Sequence, residues 1–197
     1  MNLEVICMLT LFISSYNEYI VIGLLKDGKE ISKIEEVSHN GHSSLLIPSI
    51  DKILKDNNSD TKDLNEIIVV SGPGSFTGVR LGITVAKTLA YTLNVPIKTI
   101  TSIEAIACSI NENDKIIAIN DPKGKYLGKF INNSLVELVY LKKEDAIKYL
   151  EDNKLPVYTE NIFNLETIYN YSQNIDSTPA HAVKATYIKE IEALNGK

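Results

Sequence analysis

The segment Ser71-Gly72-Pro73-Gly74-Ser75-Phe76-Thr77-Gly78 constrains this chain more than any other. It sets three glycines and a proline between a short continuous apolar run, residues 67–70, and a long apolar helix pattern ending near Asn94. Glycine permits backbone angles and close approaches that a Cβ forbids, and proline stiffens the turn. The apolar run suits a strand buried on both faces, and Thr77 or Ser75 can cap the helix. Within that helix Val79, Ile83, Ala86, Ala90 and Leu93 mark one stripe, while Leu81, Val85 and Leu89 mark another. A helix that is apolar on two sides needs two covers.

Upstream, residues 5–13, 19–25 and 31–37 favour strands, and Asp27-Gly28 supplies the turn between the second and third. Residues 43–54 repeat Leu46, Ile50 and Ile53 at helical spacing, with Pro48 limiting the regularity of the first turns. Downstream, Val95-Pro96-Ile97 opens a further strand, and Thr101 or Ser102 caps a helix carrying Glu104. A hairpin turned at Pro122-Lys123-Gly124, a strand over 135–141 and a helix over 144–150 follow. This order predicts an α/β fold. The expected division is a first lobe over residues 1–104 and a smaller second lobe over 105–197.

The 197 residues suffice for one large domain or two small lobes. The formal net charge of −5 carries no basic block, which argues against broad attraction to nucleic acid through its phosphates. Cys7 and Cys108 each sit in an apolar stretch, as buried thiols of a reducing compartment do. The apolar stretch 5–13 follows Glu4, has no basic lead and no small-residue cleavage site, and is too short to span a bilayer. The expectation is a cytoplasmic protein with no membrane segment.

Three readings compete for the glycine loop. A phosphate site would use backbone N–H groups at the start of the following helix. The spacing departs from the phosphate-binding P-loop, because Gly78 is followed by Val79 and Arg80 instead of Lys and Ser or Thr. It also departs from the dinucleotide fingerprint, because Gly74 and Gly78 are four apart. A purely structural loop is the second reading.

The third rests on likeness. Gly72-Pro73-Gly74-Ser75-Phe76-Thr77-Gly78-Val79-Arg80-Leu81-Gly82 resembles the signature segment of the TsaB (YeaZ) family. Asp63-Leu64-Asn65-Glu66-Ile67, Val95-Pro96 and Thr101-Ser102-Ile103-Glu104-Ala105 are similar to its surroundings, and His42-Ser43 with Leu45-Leu46-Ile47-Pro48 to its first helix. Beyond about residue 107 the likeness is faint, apart from the Gly124 hairpin and Tyr187-Ile188-Lys189. The resemblance implies an actin-like, sugar-kinase-like (ASKHA) α/β fold of two lobes. It also implies a non-catalytic subunit that supports a TsaD-type enzyme in threonylcarbamoyladenosine modification of tRNA. A TsaE-type ATPase would join the assembled complex, tRNA would be engaged only indirectly, and the lone subunit would form a homodimer. No intrinsic cofactor is implied, with ADP or ATP at the partner interface left open.

The expected partner-facing residues are His42, Leu46, Ile50 and Ile53 on the first helix and Ile83, Ala86, Lys87, Ala90 and Tyr91 on the long one. Where relatives carry Asp at the end of the first strand this chain has Ser14-Ser15-Tyr16, and Asn120, beside Asp121, stands where a second Asp is common. A neutral hydroxyl binds Mg²⁺ poorly, since hard cations prefer carboxylates. His39 and His42 share a spacing that could pair on a metal, but no third ligand is recognisable; His181 has no recognisable partner. No catalytic or metal set is expected. The alternative is an actin-like nucleotide phosphotransferase or ATPase acting alone; a peptidase lacks both nucleophile and metal set.

Overall fold

The computed structural model describes residues 7–38, 41–159 and 162–188. Strands β1 (Leu9–Ser14), β2 (Tyr19–Lys26) and β3 (Lys29–Val37) form the expected meander, with residues 5 and 6 of the first predicted strand outside the described residues. Asp27 and Gly28 turn β2 into β3 with φ of 52° and 76°. Two left-handed residues give the hairpin turn whose twist matches its strands. Helix α1 (His42–Asp56) runs through Pro48 without ending. Then come β4 (Glu66–Val70), α2 (Phe76–Leu93), β5 (Ile97–Ile100) and α3 (Ser102–Ala107).

The first sheet has the order β3-β2-β1-β4-β5, with β4 parallel to both β1 and β5. Every residue of β1 and β4 is buried, as expected of central strands covered on both faces. The second sheet is built from β6 (Lys115–Asp121), β7 (Gly124–Ile131), β8 (Ser134–Lys142) and β9 (Val157–Tyr158), in the order β8-β7-β6-β9. Helix α4 (Lys143–Asn153) covers it through Ala146, which joins Ile116, Ala118 and Leu127 in a small core of their own.

Helix α5 (Leu165–Ser172) returns to the first sheet, on the face opposite α1 and α2. Gly23 makes room for it: a Cβ there would meet Leu165 Cδ1 at 2.1 Å. Phe12 meets Phe163 edge to face at 5.5 Å between ring centroids on this side. Beneath α5, Glu66 and Lys98 form a buried ion pair at 2.9 Å, and Lys98 Nζ also donates to Gln173 Oε1 at 3.1 Å.

Helix α2 has the two stripes predicted, and the structure fixes which one turns inward. Ile83, Ala86 and Ala90 lie in the core against β1 and β4, and Leu46, Ile50 and Ile53 of α1 are likewise buried. These six residues, expected to face a partner, are covered by the chain's own sheet. The reason lies in the glycines, because Gly78 and Gly82 share the Val79, Ile83, Ala86 face and let it approach the β1–β2 loop closely. Leu81, Val85 and Leu89 are half-buried on its flank, and Thr84, Thr88 and Tyr91 are exposed.

Candidate functional site

The glycine loop and the β1–β2 loop meet backbone to backbone. Ser75 N–H donates to Tyr16 O at 2.6 Å, and Ser15 Oγ donates to Gly78 O at 2.8 Å. A Cβ at Gly74 would lie 2.2 Å from Tyr16 O, and one at Gly78 2.1 Å from Ser15 O, so neither position admits a side chain. Gly74 also has φ of 156°. Ser75 caps α2, its Oγ accepting from Gly78 N–H at 3.2 Å. Of the two capping candidates, Ser75 holds the position and Thr77 is exposed within the first turn.

The other side of the loop is tied to α3. Ser102 N–H donates to Gly72 O at 2.8 Å and Ser102 Oγ to Pro73 O at 2.6 Å; the Gly72–Pro73 bond is cis. Glu104 takes the role of helix-capping partner, accepting from Thr101 N–H and Oγ1–H. Tyr171 Oη donates to the other Glu104 oxygen at 2.9 Å; burial and this carboxylate both raise the phenol above its ordinary pKa.

His42 stands at the start of α1, where its Nε2–H donates to Asn17 O at 2.5 Å. It braces the β1–β2 loop instead of facing outward. His39 lies outside the described residues, and His181 is exposed. Ser14 and Ser15 are both buried, and burial raises the neighbouring Tyr16 phenol, with Glu18 and Glu35 adding to the effect. Asn120 is exposed, while Asp121 accepts from Tyr140 Oη at 2.9 Å and from Lys123 N–H at 3.0 Å. No cluster of three His, Cys, Asp or Glu suited to a metal occurs among the described residues.

A feature missed in the sequence is a C-terminal strap. Thr178 N–H donates to Ile97 O at 2.9 Å at the edge of β5. Lys87 Nζ then donates to His181 O at 3.3 Å and Val183 O at 3.1 Å. Thr186 N–H reaches Ser71 O at 2.7 Å, and Tyr187 packs against Phe76 with 5.9 Å between rings. Lys87 is thus a clamp on the strap. The strap leaves a cavity of about 20 Å³ beside Pro73, Gly74, Val79 and Tyr126, room for about one water. Tyr187-Ile188, singled out in the sequence, was its only signal.

A larger concavity of about 310 Å³ opens between α3 and β7. The buried Lys115 at its wall donates to Ile110 O, Glu112 O and Asn133 Oδ1 at 2.9, 2.6 and 3.0 Å. Its three protons are all placed, and burial lowers its pKa. Cys108 nearby donates to Ala105 O, and burial pushes its thiol up to about 12.

The structure defines an α/β protein, with two mixed sheets flanked by helices. A family model described as TsaD, tRNA N6-adenosine threonylcarbamoyltransferase, matches residues 33–125. The TsaB protein of Bacillus subtilis is 36% identical over 158 residues, which cover 76% of this chain and 69% of that one. The TsaB protein of Buchnera aphidicola from Schizaphis graminum is 30% identical over 125 residues, covering 61% and 60%. A solved Pseudomonas aeruginosa protein described as similar to the peptidase YeaZ superposes with a TM-score of 0.75 at 18% identity, covering 92% of this chain and all of that one. The chain belongs to the TsaB family.

Proposed function

We propose that this chain is a non-catalytic subunit in the biosynthesis of threonylcarbamoyladenosine in tRNA, where it docks on a TsaD-type enzyme through the outer face of α2. The curated relatives are named for that biosynthesis, and the match to the TsaD family model fits a subunit that pairs with a related fold. A TsaE-type ATPase would join the assembled complex. The docking face is the one carrying Thr77, Leu81, Thr84, Thr88 and Tyr91; Thr84, Thr88 and Tyr91, expected at or beside the partner-facing stripe, lie on it, whereas Ile83, Ala86 and Ala90 are buried.

The observation that carries the reading is how this face treats its hydroxyls. Thr84 Oγ1 donates to Arg80 O at 2.7 Å and Thr88 Oγ1 to Thr84 O at 2.9 Å. With hydroxyls satisfied within the helix, the threonines turn carbon outward. Helix α2 carries no acidic residue, and Tyr91 beside these threonines is 81% exposed. Such a surface gains by being covered.

Support for a non-catalytic role comes from the β1–β2 loop. Where a phosphate-handling relative of this fold would need a carboxylate, Ser15 already donates to Gly78 O and the loops leave no gap between them. The test is co-purification with the TsaD-type protein of the same organism. Wild type is expected to be retained and Thr88→Glu lost, with both equally folded. Retention of Thr88→Glu would remove α2 from the interface.

A further inference from the structure

Of the 20 Lys and Arg residues in this chain, only Arg80 is arginine. Its guanidinium lies 3.6 Å above the Phe76 ring centroid and 5.7 Å from that of Tyr187. Arg80 Nε donates to Tyr187 Oη at 2.7 Å. No carboxylate lies within ion-pair distance of it among the described residues, and its terminal Nη groups hold no hydrogen bond there. All three side chains are exposed, so two aromatic side chains hold the orientation of a charged fork whose terminal nitrogens no other described residue uses.

We propose that Arg80 is the carboxylate-receiving anchor of the docking face, taking an Asp or Glu of the partner subunit in a two-pronged contact. The proposal rests on the docking reading above and adds to it a residue and a chemistry. Guanidinium is planar and can pair both oxygens of a carboxylate while stacked on a ring; lysine, abundant elsewhere in this chain, can do neither. The side chain arrives already ordered, which lowers the entropy lost on binding. Charge sets the choice of occupant. The chain carries −5 overall, yet this helix has only Arg80 and Lys87 as charged residues, and Lys87 is bound to strap carbonyls. A phosphate polymer would need several cations to gain affinity. One cation with no ion-pair partner among the described residues, beside threonine methyls and tyrosine, fits a single carboxylate set in an apolar protein surface.

The experiment is calorimetric titration of the TsaD-type protein into wild type, Arg80→Ala, Arg80→Lys and Thr88→Glu, at two salt concentrations, with thermal melts to verify folding. Arg80→Ala is expected to weaken binding about 30-fold or more and Arg80→Lys about tenfold. The salt dependence of wild type should be steeper than that of Arg80→Ala. If Arg80→Ala binds like wild type while Thr88→Glu does not, the anchor is overturned and the docking face survives. If wild type itself does not bind, both fall. If Arg80→Ala leaves protein binding intact but reduces binding of unmodified tRNA, phosphate is the occupant and the carboxylate is overturned.

Discussion

Ser15 and Gly78 touch backbone to backbone: the Ser15 hydroxyl donates to the Gly78 carbonyl at 2.8 Å, and a Cβ on Gly78 would stand 2.1 Å from the Ser15 carbonyl oxygen. This contact joins α2 to the β1–β2 loop and decides which stripe of the helix turns inward.

Gly78→Ala therefore forces backbone from backbone and should cost about 3 kcal/mol. Ser15→Ala removes only the hydrogen bond and should cost about 1 kcal/mol. Urea unfolding of both variants measures the difference. Equal losses would mean that the close approach is not what holds the loop.

Ala86→Glu puts a carboxylate at a fully buried position against the first sheet and should abolish cooperative unfolding. Thr88→Glu, two residues on and exposed, should melt within a few degrees of wild type. Circular dichroism melts of the pair read the orientation of α2 directly.

That orientation was not legible in the sequence. Both stripes of α2 have helical spacing, and periodicity alone gives no reason to prefer Ile83, Ala86 and Ala90 over Leu81, Val85 and Leu89 for the inside. The available signal was Gly78 and Gly82, one turn apart on the inner face. The strands and helices up to residue 107, the Asp27-Gly28 turn and the Thr101–Glu104 capping box were legible, because each is written in local chemistry. Helix α5 and the strap were not. They are held by distant contacts, such as Leu165 against Gly23 and Thr186 on Ser71, which no local pattern announces. The buried Glu66–Lys98 pair was invisible for the same reason.

Glu66→Gln should cost about 3 kcal/mol, because it leaves the buried Lys98 ammonium without its counter-charge. Adding Lys98→Met should recover much of the loss, since an apolar side chain has no charge to desolvate. Denaturant titration of the single and double variants is the measurement; a double variant as unstable as the single would contradict the coupling.

Cys7 is exposed, whereas Cys108 is part-buried with its thiol held up at about 12 from an ordinary 9.0. At pH 8 a thiol reagent should modify Cys7 alone in the native protein and both cysteines in urea. Between about pH 9 and 12 the unfolded Cys108 loses its proton while the folded one keeps it. The folded state then binds more protons, so this group's contribution to stability is complete below pH 9 and declines as pH rises through that window. Rapid native labelling of both thiols would contradict the burial of Cys108.

Without the proposed TsaD-type partner, this chain is expected to cover the same face with a second copy. Light scattering should find a dimer for wild type and a monomer for Thr88→Glu. A Thr88→Glu dimer would place self-association elsewhere.

The most direct measurement is the affinity of the TsaD-type enzyme for wild type and for Thr88→Glu at matched stability. A titration in which wild type binds and the variant, still folded, does not is the predicted result. Equal affinity for the two would contradict a docking role for the outer face of α2.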